Sequence, residues 1–239
     1  MHALANPARF VRLADRILPA TLTLAVLLLG LGSYYGLIAS PADYQQGDTV
    51  RIMYIHVPSA YIAVGAYVGL ALSAVSTLVY RHPLGDAAGR AIAPVGLFVT
   101  GLALLTGSVW GKPMWGTYWV WDTRLTSVLV LFFLYLGYIA ILGAIEDRAK
   151  AARAASILAL VGVINIPIIK FSVDWWTTLH QPASLFRMGG PTIDSSMLTP
   201  LLLMLAGISF WFVTVVLWRM KAEIADARLH ALQERWGVK

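Results

Sequence analysis

The sequence predicts an all-α polytopic membrane protein that crosses the bilayer six times as a single domain, residues 1-239. Hydrophobic residues make up 59% of the chain and charged residues 13%, whereas a soluble domain is roughly half apolar and about a quarter charged. The apolar residues form six runs, each long enough for a helix to cross a hydrocarbon core of about 30 Å. The basic residues stand mainly at the ends of these runs, as they do around transmembrane helices.

The predicted spans share an apolar composition and lie at about 17-38, 58-80, 91-109, 125-145, 154-172 and 198-218. Gly32 and Gly36 close the first span with a small-xxx-small spacing that permits close helix approach. Pro58 opens the second span, since proline suits the first turn of a helix. The fifth span is the weakest, because Pro167 and Lys170 interrupt it. After the sixth span, we expect the tail to form a charged amphipathic helix.

Charge decides the orientation of the spans. Thirteen lysines and arginines lie in the termini and the connections on their side, against four on the opposite side: Arg51, Lys112, Arg124 and Arg187. The positive-inside rule therefore predicts that both termini are cytoplasmic. Although the formal net charge is +6, these residues flank spans and do not form one basic surface, which argues against nucleic-acid binding.

The chain contains no cysteine. Disulfides, thiolate metal sites, Fe–S clusters and a covalently attached c-type haem are therefore excluded on this chain. The first apolar run is not followed by a small-residue cleavage pattern, so we expect it to be retained as a span.

An outer loop, 110-127, separates the third span from the fourth. Its tryptophans and charges are Trp110, Trp115, Trp119, Trp121, Lys112, Asp122 and Arg124. Tryptophan is enriched at membrane interfaces even where it binds no ligand. Four tryptophans in one short loop, however, favour a rigid platform for a large planar ligand. We expect Asp122 and Arg124 to form an internal ion pair that fixes the loop.

Two histidines, His56 and His180, lie on the same predicted side, in the segments that flank the tryptophan-rich loop. A single histidine at the membrane interface usually forms a hydrogen bond and has no role as a ligand. A pair beside an aromatic platform is the arrangement that suits haem, whose iron takes neutral imidazole as an axial ligand. The four outer cations are available for the propionates, although spacing assigns none of them. A zinc site lacks a third ligand, and the chain has no Ser-His-Asp, HExxH or phosphate-binding motif.

Three motifs carry a resemblance to known proteins. The stretch WGTYWVWD, 115–122, resembles the tryptophan-rich WWD signature of haem-handling membrane proteins. RIMYIHVPSA, 51–60, and KFSVDWWTTLHQPAS, 170–184, together with the six-span length, resemble one family of that group, the haem exporter protein C family of cytochrome c maturation (CcmC). The resemblance covers the chain apart from both ends.

The resemblance implies that haem b is bound transiently and non-covalently on the WWD loop, with His56 and His180 as axial ligands of the iron. The residues expected around the haem are Trp110, Trp115, Trp119, Trp121, Asp122 and Arg124. It also implies a bacterial inner membrane location with the haem site facing the periplasm, in contact with membrane lipid.

The implied partners are the haem chaperone CcmE, which receives the haem, and an ABC-type complex, CcmA with CcmB, acting with the small membrane protein CcmD. The chain itself has no Walker motif, so we expect a haem-transfer protein and not an enzyme.

Two other functions remain open at this stage. A b-type cytochrome subunit usually buries its histidines within the spans to conduct electrons across the bilayer, whereas both outer histidines here lie at span ends. A small-solute permease subunit needs polar residues at mid-depth, and apart from Asn165 and Lys170 there are few.

Overall fold

The computed structural model of the protein describes residues 6–181 and 184–237. Its α-helices are α1 (Pro7–Ser33), α2 (Met53–Leu78), α3 (Pro83–Trp115), α4 (Thr123–Ala144), α5 (Arg148–Gly162), α6 (Asn165–Trp175) and α7 (Ser195–Trp236). Six stretches, with α5 and α6 counted together, are long and apolar enough to cross a membrane. The described part of the chain contains no β-strand. The predicted fold class, an all-α six-span membrane protein, is therefore confirmed.

The first helix begins where Asn6 accepts a hydrogen bond from the N–H of Ala8, with a proline in the first turn. It continues beyond its α-helical part as a π-helical turn, Tyr34–Ala39. Gly32 and Gly36 do lie at close approaches: an added Cβ would come 2.9 Å from Met204 Cγ at the first and 2.9 Å from Tyr54 Cγ at the second. These contacts bring α1 against α7 and α2.

The tryptophan-rich loop is shorter than the sequence suggested. Helix α3 continues through Trp115, and Gly116 ends it in a left-handed conformation (φ 76°) with its N–H donating to the carbonyl of Lys112. Helix α4 begins at Thr123, so the non-helical loop is only 116–122. The prediction of a loop over 110-127 was wrong at both ends, because the helical hydrogen bonds continue past the point where the apolar composition stops.

The fifth span is broken in its middle. Helix α5 begins behind Asp147, whose carboxylate accepts from the N–H groups of Ala149 and Lys150, and ends at Gly162. Helix α6 starts three residues later, where the side chain of Asn165 donates to the carbonyl of Ser127 on α4 at 2.8 Å. This break lets α6 approach the tryptophan-rich loop independently of α5.

The tail is the continuation of the sixth span and not a separate helix. Helix α7 has 42 residues, which at about 1.5 Å per residue is roughly twice the thickness of a hydrocarbon core. Its far half is tied to the bundle by ion pairs: Lys221 with Asp15, and Arg148 with both Glu223 and Asp226.

Because the spans alternate in direction, three connections meet at one end of the bundle: 34–52, 116–122 and 176–194. We call this the aromatic end. Beneath it, α3 packs against both α2 and α4, around a buried core that includes Tyr67, Leu131 and Tyr135. The start of α1 and the end of α7 lie at the opposite end.

Candidate functional site

A cavity opens at the aromatic end between α2, α3, α4 and α6. Its volume is about 100 Å³, below the range of about 300–1,000 Å³ that is usual for sites that enclose a small molecule, so a large planar ligand would project out of it at the aromatic end. Most of its wall is apolar. The polar and aromatic side chains in the wall are His56, Ser108, Trp115, Trp119, Arg124 and His180. Both predicted iron ligands therefore reach one cavity, although 124 positions separate them in the sequence.

His56 projects from the first turn of α2, and α3 holds its ring. Its Nδ1 lies 3.0 Å from the carbonyl oxygen of Ala103 and 3.2 Å from Thr106 Oγ1. A carbonyl can only accept, so Nδ1 carries the proton and Nε2 keeps its lone pair. Gly107 gives the ring room, since a Cβ there would lie 2.9 Å from His56 Cε1. The imidazole is thus fixed in the tautomer and orientation that leave one nitrogen free to bind a metal.

His180 lies in the connection between α6 and α7. Its ring packs against Trp115, with centroids 4.9 Å apart. No described residue forms a hydrogen bond with its buried Nδ1, and Asp122 Oδ2 lies 3.7 Å away, beyond hydrogen-bond distance. Burial, reinforced by the charge of Arg124 and opposed by that of Asp122, lowers the pKa of His180 to about 4. The imidazole is therefore neutral at pH 7, the form in which it binds iron.

Asp122 does not form the predicted ion pair with Arg124. Its Oδ1 accepts from the N–H of Leu125 at 2.7 Å and so caps α4, and its Oδ2 accepts from the hydroxyl of Thr178. Although burial opposes ionisation, these hydrogen bonds hold the pKa of Asp122 below its usual range. The ion-pair prediction was wrong because the carboxylate stands at the start of a helix, where unpaired backbone N–H groups compete for it. Asp122 instead joins the tryptophan-rich loop to the segment that carries His180.

Arg124 joins α4 to α6. Its Nε lies 3.1 Å from Ser172 Oγ, and its Nη2 lies 3.1 Å from the carbonyl of Ile169. Among the described residues that line the cavity, it is the only one with a permanent charge. It can therefore position α6 and present positive charge to an anionic group in the cavity.

The four predicted tryptophans take different positions. Trp115 and Trp119 line the cavity, and the indole Nε1 of Trp119 is buried without a hydrogen-bond partner. Trp110 lies outside the lining: its Nε1 donates to Gln46 at 2.9 Å, and its ring supports His56 edge-on at 5.7 Å. Trp121 is 74% exposed and touches Trp119 edge-on.

The other predicted cations are not part of the cavity wall. Arg51 pairs with Asp48 at 3.1 Å, Lys112 donates to the carbonyl of Gly116 at 3.0 Å, and Arg187 is exposed. Sequence reasoning missed several supporting residues, namely Gln46, Thr106, Gly107 and Thr178. Each acts through a partner far away in the sequence, so no local spacing could have indicated it.

These residues suit haem. The wall combines two neutral imidazoles with indole faces and small side chains, which include Ala60, Ala63 and Ala103. Two of its buried polar atoms, Trp119 Nε1 and His180 Nδ1, lack a partner within the described residues. A planar apolar ligand with a metal at its centre and acidic groups at its edge matches this set of groups.

Comparisons with known proteins agree with this chemistry. The family model described as "Heme exporter protein C" matches residues 1–235. A "Heme exporter protein C" of Bradyrhizobium diazoefficiens is 55% identical over 230 residues, covering 96% of this chain and 87% of the relative. The protein of the same name from Haemophilus influenzae is 45% identical, covering 95% and 94%. A "Putative cytochrome c biosynthesis ccmC-like mitochondrial protein" of Marchantia polymorpha is 47% identical over 187 residues, 78% of each chain. The chain belongs to the haem exporter protein C family.

Proposed function

We propose that this protein binds haem at its aromatic end and hands it to the haem chaperone CcmE during cytochrome c maturation. Its family and the names of its relatives support the general role in haem handling. One observation carries the site assignment: His56 and His180, from distant parts of the chain, line the same apolar cavity as Trp115 and Trp119.

Each group in the cavity has a distinct task in this proposal. The unprotonated nitrogens of His56 and His180 ligate the iron of a non-covalently bound haem b. Trp115 and Trp119 offer flat faces against the porphyrin. Arg124, the charged member of the wall, attracts a propionate while its hydrogen bonds hold α6 in place.

Asp122 and Trp110 support the site from outside the wall. Asp122 holds the loop and the His180 segment together through Thr178, and Trp110 braces His56. The exposed ring of Trp121 stands beside the cavity on the same loop. This ring offers an accessible contact for the chaperone, since aromatic side chains are enriched where proteins meet.

The wider assembly follows from the orientation that the charge distribution predicts. The aromatic end faces the periplasm of a bacterial inner membrane, and the far half of α7 projects into the cytoplasm. CcmA and CcmB, with the small protein CcmD, then promote release of the loaded chaperone. ATP hydrolysis belongs to that complex, because this chain carries no nucleotide-binding motif.

The test is co-purification with CcmE, with haem measured on each component. The wild-type protein should yield haem on both. Changing Trp115, Trp119 and Trp121 together to alanine should lower both amounts, whereas Trp236→Ala, 76% exposed at the opposite end, should lower neither. Haem that stays on this protein and cycles between redox states would favour a b-type cytochrome, and absence of haem would favour a permease subunit. Either result would overturn the proposal.

A further inference from the structure

The two histidines of the cavity are held in different ways. The Nδ1 of His56 has two oxygen partners on α3, at 3.0 and 3.2 Å. The ring is also confined by Gly107 and braced by Trp110. Since both the histidine and its partners belong to long helices, this ring cannot turn without breaking hydrogen bonds between α2 and α3.

His180 lacks such a support. It lies in a non-helical segment, and no described residue forms a hydrogen bond with its Nδ1. Asp122 Oδ2 lies 3.7 Å from this nitrogen and is held there by the Thr178 hydroxyl, which donates to it. The same hydroxyl oxygen also accepts from the backbone N–H of His180 at 3.1 Å. Thr178 therefore fixes both the backbone of His180 and the position of this carboxylate oxygen.

Resting on the proposed axial ligation, we infer that His56 is the anchoring ligand and His180 the ligand that leaves the iron at transfer, and that Thr178 sets this difference by holding Asp122 Oδ2 beyond hydrogen-bond distance of His180. Metal-bound histidines usually donate their second N–H to a carboxylate or carbonyl, which orients the ring and makes it more basic. His56 has this support and His180 does not. A protein that binds haem and later releases it benefits from one firmly held ligand and one that dissociates readily.

This geometry makes Thr178 a positioning residue, and substitution of its hydroxyl should reverse its effect on His180. Replacing its hydroxyl with a methyl group frees Asp122 Oδ2, and a shift of about 1 Å would bring His180 Nδ1 within hydrogen-bond distance of it. The Asp122 cap on α4 uses the other oxygen, Oδ1, so it remains. His180 should then bind iron more strongly.

The first experiment compares His56→Gly with His180→Gly, each with and without added imidazole. His180→Gly should keep haem with a visible spectrum of five-coordinate iron, and imidazole should restore the six-coordinate spectrum. His56→Gly should lose haem during purification. Equal loss in both variants, or the opposite order, overturns the inference but leaves axial ligation intact. Unchanged spectra in both variants would overturn the proposed ligation as well.

The second experiment measures haem transfer to apomyoglobin from Thr178→Val, with Thr192→Val as an exposed control in the same connection. Changes to residues that hydrogen-bond a metal ligand alter metal affinity by about 10–100-fold, so transfer from Thr178→Val should slow at least about tenfold. Its haem reduction potential should fall, because a more basic imidazole stabilises ferric iron. Adding Asp122→Asn should abolish both effects. Transfer that is unchanged or faster in Thr178→Val contradicts the role of Thr178.

Discussion

The contact between Gly107 and His56 gives a sharp test of the site, because Gly107→Ala perturbs the ligand without changing any polar group. The added Cβ would lie 2.9 Å from His56 Cε1 and 3.3 Å from Nδ1. Carbon atoms prefer about 3.5–4.0 Å, so the ring must move by at least about 0.5 Å. That shift stretches hydrogen bonds of 3.0 and 3.2 Å to the limit of such bonds.

Loss of these contacts with α3 should weaken haem binding by about 10–100-fold. Overpacking costs about 1–3 kcal/mol, while replacing a helical glycine with alanine returns about 0.5–1 kcal/mol. The apoprotein should therefore lose no more than about 2.5 kcal/mol of stability. Thermal unfolding of the apoprotein measures this loss separately from haem affinity, and this separates an effect on the site from general damage to the fold.

The assay is haem titration of the purified apoprotein, followed by the Soret band and paired with thermal unfolding. Gly65→Ala is the matched control, since no atom lies within 4 Å of the Cβ it would add. It should leave haem affinity unchanged. If Gly107→Ala binds haem as tightly as the wild type with the same Soret maximum, the view that α3 holds His56 as a ligand is wrong.

Three further predictions concern the platform and the scaffold. Trp119→Ala should lower haem affinity more than Trp121→Ala, because only Trp119 lines the cavity; equal losses on haem titration would contradict this assignment. Tyr135→Phe should destabilise the protein by about 1 kcal/mol in thermal unfolding, because its hydroxyl donates to the carbonyl of Ala63 at 2.8 Å. Tyr67→Phe should leave stability unchanged, since the buried hydroxyl of Tyr67 has no partner among the described residues. A larger loss of stability in Tyr67→Phe than in Tyr135→Phe would refute this assignment of the two hydroxyls. Arg148→Ala should lower stability by about 1 kcal/mol, because Arg148 joins α3, α5 and α7 through partly exposed ion pairs. The loss should be smaller at high salt, and Arg153→Ala, at an exposed position, is the control.

The sequence predicted those features of the fold that depend on composition along the chain. Six apolar runs indicated six membrane-spanning stretches. Both histidines and two of the tryptophans line one cavity, while their contact with haem stays a prediction. Boundaries were less predictable. The helix that carries Trp110 and Trp115 continues beyond its apolar part because polarity does not limit backbone hydrogen bonding, and α7 continues into the tail for the same reason.

The supporting contacts could not have been predicted from spacing. Asp122 meets Thr178 across 56 positions, and Arg124 meets Ile169 across 45. A local pattern shows Asp122 next to Arg124 and suggests an ion pair, whereas the folded chain offers each of them a better partner from another element. Pro167 indicates the break between α5 and α6. The sequence does not indicate that this break brings α6 to Arg124.

The central claim, that His56 and His180 together ligate haem iron, is tested most directly by the visible spectrum of the haem-loaded protein after changing both residues to alanine. His82→Ala, at the opposite end of the bundle, is the control. The double variant should lose the spectrum of six-coordinate, bis-histidine haem and most of the bound haem, while His82→Ala keeps both. A double variant that retains haem with an unchanged spectrum would contradict the account.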